Sequence, residues 1–305
     1  MVEIHHFTHG WVTPGFSYAL SVLGSLLGLV CAIRLRNAQN TAGRVWWLSL
    51  AAVAIGGTGI WTMHFVAMMG FSVDGTPIRY DVGLTAASAL IAVVSVTVGL
   101  SIVSFGNRAG SVRIILGGLI SGLGVGAMHY TGMAAMRLNG HIEYGIGLVV
   151  VSMAIAVVAA TVALWLALTV RKATAIVGAA LVMGVAVNGM HFTGMAAMSV
   201  HRVNANAIGT PSGATASQML IPIGVAVLFG ALGLAYALMA APTDEDRAAA
   251  AYLASRRSPD SSVPQSTGRP APQASSRPDI PASREAGRQM PTIGASWTYR
   301  DRSGR

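Results

Sequence analysis

Apolar residues in this chain fall into seven long runs, at Thr13–Ile33, Val45–Gly70, Val82–Phe105, Ile114–Met136, Gly145–Leu168, Ala175–Met198 and Met219–Ala240. Each is close to the roughly 20 residues a helix needs to cross the hydrocarbon core of a bilayer. Lipid offers no partner to backbone N–H and C=O groups, so each run is expected to be a helix. Short polar breaks such as Arg34-Leu35-Arg36-Asn37 and Asn107-Arg108 separate them. The pattern predicts an all-α polytopic membrane protein, a seven-transmembrane-helix bundle occupying residues 1–241. After Pro242 the apolar runs stop, and Ser, Pro, Arg and Ala dominate. Residues 242–305 therefore read as a disordered cytoplasmic tail, too short and too polar for a catalytic signalling domain.

The loops carry orientation. The breaks after runs 1, 3 and 5 hold Arg34, Arg36, Arg44, Arg108, Arg113, Arg171 and Lys172, whereas those after runs 2, 4 and 6 hold Arg79, Arg137 and Arg202. Positive loops favour the cytoplasm. The expectation is an N-terminus outside, a C-terminus inside and a multi-pass plasma-membrane location. Trp46, Trp47 and Trp165 then fall near the inner interface and Trp11 near the outer one. Glu3, Asp74, Asp81 and Glu143 fall on the outer side.

Composition adds little to this picture. The 10% of charged residues excludes an ordinary soluble globule, in which about a quarter are charged. The net charge of +9 is spread over loops and tail and forms no basic stripe, so no nucleic-acid partner is expected. A single cysteine, Cys31, excludes an intrachain disulfide and any CxxC motif. The N-terminus, with Glu3, His5, His6 and His9, lacks the cationic start of a signal peptide.

The second strong signal is a threefold repeat. Run 2 ends in Met63-His64-Phe65-Val66-Ala67-Met68, run 4 in Met128-His129-Tyr130-Thr131-Gly132-Met133 and run 6 in Met190-His191-Phe192-Thr193-Gly194-Met195. Runs 1–2, 3–4 and 5–6 are thus three copies of a two-helix unit, with the seventh run left over. Tyr80 and Tyr144 open runs 3 and 5 at the same period. Gly57, Gly122 and Gly184 each stand seven residues before a histidine, a step that returns to the same helix face. They are expected to face a shared axis along the membrane normal, with the histidines converging above them. Met136 and Met198 extend the stripe in copies 2 and 3, and Phe71 stands there in copy 1.

Ionisable residues inside membrane spans are functional candidates by default. Imidazole and thioether together suit copper, Cu(I) above all, because Met sulfur is soft and needs no deprotonation. The bland alternative is a cluster of neutral histidines bonded to backbone or hydroxyl groups, with methionines as core filler. Axial ligation of haem is a third reading. His5, His6 and His9 are either a metal entry set or a solvated arm. Asp81 and Glu143 either cap helices or orient a ligand histidine. CxxCH, Walker-type, HExxH and triad motifs are absent from the sequence, so no enzyme is expected.

At these residues the chain resembles the MHYT family of bacterial integral-membrane sensor domains. Met128-His129-Tyr130-Thr131 spells the motif, and Met190-His191-Phe192-Thr193 and Met63-His64-Phe65-Val66 are variants of it. The resemblance covers about the first 240 residues. It implies a plasma-membrane sensor that binds copper and detects oxygen, carbon monoxide or nitric oxide. By motif matching its metal ligands are Met63, His64, Met68, Met128, His129, Met133, Met190, His191 and Met195. Relatives often carry a fused cyclase, phosphodiesterase or kinase domain after the last helix. None is expected here, which leaves output to a cytoplasmic signalling partner. Copper binding or handling without signalling, and a haem- or copper-containing membrane oxidoreductase, are the alternatives.

Overall fold

The computed structural model describes residues 4–5, 8, 10–105, 110–202, 210–239, 248–249 and 252–253. His6, His9, Asn107, Arg108 and nearly all of the expected tail lie outside the described residues. The chain divides into two units, Met1–Thr243 and Asp244–Arg305.

All seven apolar runs are helices long and apolar enough to cross a membrane. They are α1 Val12–Asn37, α2 Thr41–Met68, α3 Val82–Ser104, α4 Ser111–Ala134, α5 Ile146–Thr169, α6 Ala173–Ala196 and α7 Ala216–Met239. Helices α1 to α6 form a closed ring in chain order, with α6 packing back on α1. Helix α7 lies outside the ring, against α1 and α2. Its Ala226 carbonyl accepts from Thr58 Oγ1 at 3.1 Å.

Small residues bring the helices together, as expected where lipid supplies no hydrophobic drive between them. A Cβ on Gly24 of α1 would lie 2.3 Å from the Gly59 nitrogen of α2. Gly99 of α3 backs onto Ser121 of α4, and Gly118 of α4 onto Thr161 of α5. Buried hydroxyls and amides add specific links. Ser17 donates to Asn188 Oδ1 and Asn188 Nδ2 to Ser21, joining α1 to α6. Trp61 Nε1 donates to Ser88, joining α2 to α3, and Tyr130 meets Ser152 at 2.6 Å, joining α4 to α5.

The helices bearing the histidines stop short of the predicted Gly70, Met136 and Met198. They end at Met68, Ala134 and Ala196, and the chain continues as strand. The strands are β1 Ile4–His5, β2 Ser72–Val73, β3 Arg79–Tyr80, β4 Met136–Arg137, β5 Gly140–Tyr144 and β6 Met198–Arg202. They pair antiparallel as β1–β2, β3–β4 and β5–β6, with Tyr80 opposite Met136 and Tyr144 opposite Met198. Pairing gives the backbone groups beyond each helix end the partners that further helix would have supplied. Each repeat is thus strand–helix–helix–strand, and three ribbons cap one end of the ring. Asp81 starts α3 by accepting from Leu84 N at 3.0 Å.

At the opposite end, arginines satisfy helix C-terminal carbonyls. Arg34 donates to Ala237 O at 2.9 Å, Arg44 to Ser104 O at 2.6 Å, and Arg36 to Leu168 O and Val170 O.

Helix α2 is not regular. Val53–Thr62 is a ten-residue π-helix between α-helical segments. Its wider i→i+5 pattern changes which residues face inward. Gly56, not Gly57, meets α3: its Cβ would lie 2.8 Å from Ala92 O, whereas Gly57 has only Val53 Cγ1 at 3.8 Å. The expected glycine axis is therefore not formed. Gly122 faces Val157 of α5 and Gly184 faces Val22 of α1, so the glycines sit at contacts between neighbouring helices.

Candidate metal centre

The last turns of α2, α4 and α6 bring His64, His129 and His191 together at the ribbon-capped end. The three are 1%, 0% and 1% exposed. Their rings stand edge to face, with centroids 4.9 Å (64–129), 5.0 Å (64–191) and 5.2 Å (129–191) apart. His64 Nδ1 lies 3.0 Å from His191 Nδ1 and 3.2 Å from His129 Nδ1. The near-equal spacings give a three-bladed propeller with its nitrogens at the hub.

This geometry is poor for hydrogen bonding alone. A neutral imidazole nitrogen carries either one proton or one lone pair. His64 Nδ1 therefore satisfies one neighbour and confronts the other. A cation at the hub accepts all three lone pairs at once. Tetrahedral ligands 2.0–2.1 Å from an ion stand about 3.3 Å apart, close to the separations seen here. The residues fit a compact metal ion. They leave no gap between imidazoles in which a haem ring would stand, so the haem reading has no geometric support.

The outer edges of the rings are as closely packed as the hub. A Cβ on Gly132 would lie 2.3 Å from His64 Nε2, and one on Gly194 2.3 Å from His129 Nε2. The His64 and His129 rings thus each lean on the glycine three residues past the histidine of the next copy. His64 Nε2 and His129 Nε2 are buried without a hydrogen-bond partner. The carboxylate or carbonyl that commonly orients a ligand histidine is replaced here by packing.

Met63, Met68, Met128, Met133, Met190 and Met195 are all buried on the same three helices. Among the described residues, the group of His, Cys, Asp or Glu side chains close enough to hold one ion is the three histidines. The other candidates stand apart. His5 pairs with Asp74 at 3.4 Å and His201 with Glu143 at 3.5 Å, while His141 lies opposite His201 across the β5–β6 ribbon. Asp81 caps its helix and pairs with Arg137 at 2.9 Å, the bland role of the two weighed for it. Burial pushes the Tyr144 phenol, at the ribbon end, up to about 12.

The sequence reading missed the polar links behind the cluster. Ser17, Ser88 and Ser152 are each fully buried and lie near the starts of α1, α3 and α5. Each bonds the histidine-bearing helix beside it. Their recurrence at nearly the motif period was the available signal.

Fold and site together define a multi-pass plasma-membrane protein whose ring of helices buries a three-histidine cluster at one end. The chain belongs to the MHYT family, described as the bacterial signalling protein N-terminal repeat, which matches residues 57–118, 122–180 and 184–252. Each matched interval starts at a glycine seven residues before a histidine and runs on into the following helix, whereas the ribbons close the unit that begins one helix earlier. For the third interval that following helix is α7, outside the ring, while α1 lies before the first matched interval.

Among curated relatives, the bifunctional diguanylate cyclase/cyclic di-GMP phosphodiesterase MucR of Pseudomonas aeruginosa is 40% identical over 195 residues, covering 62% of this chain and 28% of that protein. The cyclic di-GMP phosphodiesterase NbdA of the same organism is 35% identical over 203 residues, covering 62% and 25%. The signaling protein YkoW of Bacillus subtilis is 27% identical over 208 residues, covering 65% and 25%. The matches thus span only about a quarter of each relative's length. No solved structure matches the chain.

Proposed function

We propose that this membrane signalling protein is a copper sensor, with one copper ion held by Nδ1 of His64, His129 and His191 on the outer side of the membrane. The single observation behind this reading is the buried hub of three nitrogens, two of whose separations are 3.0 and 3.2 Å. Copper heads the divalent affinity order and accepts imidazole readily, and bound here it would offer a coordination position to a diatomic ligand such as oxygen, carbon monoxide or nitric oxide. Met68, Met133 and Met195, one turn beyond each histidine, are the candidate soft ligands to complete the shell.

The protein's part is to couple the hub to the opposite end. The three histidines sit on three different helices, so a change in their spacing moves those helices relative to one another. Helix α2 carries His64, and its π segment bonds α7 through Thr58. Helix α7 leads to the C-terminal residues, where a cytoplasmic signalling partner would read the change. The cyclase and phosphodiesterase activities named for MucR and NbdA belong to those longer proteins. The matched stretch covers 28% of MucR and 25% of NbdA.

The test is metal content by elemental analysis after purification from copper-supplemented cells, beside a variant with all three histidines changed to Ala. About one copper per chain is expected, lost in a variant that keeps its helical circular-dichroism spectrum. A metal-free parent, even after anaerobic Cu(I) loading, would leave the cluster a structural polar contact.

A further inference from the structure

Inside the ring, below the histidines, lies a cavity of about 60 Å³ lined by residues of all six ring helices. Its roof is Ile60, Val125 and Val187, each four residues before the histidine of its own helix. Four residues are about one turn of α-helix, so Val125 and Val187 lie on the histidine faces one turn below the hub, and Ile60, in the π segment, lines the same space. Met190, next to His191, also borders the space. The walls come from matching places on the other helices: Ser25 of α1, Val96 of α3 and Ala160 of α5.

The lining decides what fits. Apart from two serines it is apolar, aliphatic but for Met183 and Met190, and one of the serines, Ser121, already donates to Ser95 O at 3.0 Å. A buried water needs two to four polar partners, which this lining does not offer. A charged solute needs counter-charges or backbone carbonyls, and no charged residue lines the space. The volume is several times the ~10–15 Å³ that admits one water-sized body, and apolar cavities of this kind stay dry and bind small apolar guests. The wall nearest the lipid is α5, only 11% of whose apolar window is buried. Toward the cavity it presents Ala159, Ala160 and Ala163, all half-buried. Alanine there leaves room that larger side chains would fill.

We propose that this cavity is a binding pocket for one small uncharged apolar molecule, a dissolved diatomic gas, and the route by which such a molecule reaches the histidine hub from within the bilayer. The pocket stands on its own lining and shape. The route rests on the metal reading above.

Xenon is the probe for the pocket. Metal-free protein in lipid nanodiscs is titrated with xenon and followed by 129Xe NMR. Saturable binding at one site is expected, abolished by Ala160→Phe and weakened at least fivefold by the milder Ala163→Leu, which serves if the first variant does not fold. No saturable binding, binding indifferent to both substitutions, or an acyl chain retained in place of xenon overturns the pocket. For the route, carbon monoxide association with Cu(I)-loaded protein is timed by stopped flow. The substitution that removes xenon should slow association at least tenfold at unchanged copper content. Unchanged association overturns the route. Failure of the parent to load copper removes the metal reading and the route together, and the xenon arm still decides the pocket.

Discussion

Gly132 and Gly194 carry more of the site than their lack of a side chain suggests. Each leaves the space into which the neighbouring copy's imidazole is pressed, with its Nε2 only 2.3 Å from where a Cβ would be. Gly132→Ala should push the His64 ring off the hub. We expect copper affinity to fall tenfold or more, with a stability loss of about 1–3 kcal/mol from overpacking. Chelator competition and thermal unfolding measure the two, and a variant unchanged in both would show that the ring has room to spare. In the first copy Ala67 takes the corresponding place and is itself buried. The reverse change, Ala67→Gly, should leave the hub intact and cost only about 1 kcal/mol of helix propensity. The histidines were legible because three of them recur in register. The role of the glycines was not, because it depends on how each helix is turned toward its neighbour, which one helix's periodicity does not contain. At the same end, the Leu84 N–H and then the Arg137 guanidinium hold the Asp81 carboxyl below the usual carboxylate range. A depressed folded value means that the stabilisation is present above the ordinary value of about 3.9 and is lost as pH falls through the folded value. The melting temperatures of the parent and Asp81→Ala should therefore differ at pH 7 and converge below about pH 4. A gap that persists in acid would assign the effect to something other than this charge.

Helix α2 is the element whose interior the sequence misrepresents. Counting seven residues back from His64 selects Gly57, by the arithmetic that selects Gly122 and Gly184. That arithmetic holds for α4 and α6, which are regular through the interval. It fails in α2 because the π segment Val53–Thr62 inserts extra chain between the glycine and the histidine. Gly56 thereby takes the place against Ala92 that Gly122 takes against Ala156. Within the segment, Thr62 Oγ1 donates to Gly57 O at 3.0 Å, giving that carbonyl a side-chain donor. The two neighbouring glycines should behave as opposites. Gly56→Ala drives a methyl into the α3 backbone and should cost about 1–3 kcal/mol. Gly57→Ala meets nothing closer than 3.8 Å and should stay within about 0.5 kcal/mol of the parent. Thermal unfolding of both variants in one detergent is sufficient. The reverse ranking would mean that α2 is a regular α-helix whose motif face follows the simple count. π segments recur at functional sites, and this one ends two residues before His64, on the helix that also bonds α7. The regular elements follow from apolar run length, but an irregularity set by packing against α3 and α7 leaves no mark in hydropathy.

At the scale of the whole molecule, ring closure leaves a hub at one end and an apolar cavity below it, and arginines bind helix ends at the opposite side. Closure itself was beyond the sequence, since nothing in the runs states that α6 returns to α1 or that α7 stays outside. The difference in charge between the two ends was legible. Arg34, Arg36 and Arg44 belong to the positive loops, and each also bonds the C-terminal carbonyls of another helix, so the residues that set topology also fasten that end. The positive-inside rule predicts that this end is cytoplasmic and that the ribbon-capped histidines lie outside. The chain provides its own background for testing this, because its one cysteine, Cys31, is fully buried in α1. New cysteines at exposed places report the two ends: Ser212→Cys beside the ribbons and Lys172→Cys between α5 and α6. In intact cells a membrane-impermeant maleimide should label the first and spare the second, and lysis should expose both. The converse pattern would turn the molecule over. The hub would then face the cytoplasm, where soluble thiols compete for copper, and the metal would have to be held against that competition by three imidazoles alone. Labelling at Ser212→Cys alone fits a buried hub at the periplasmic or external end, where an arriving metal meets fewer competing ligands.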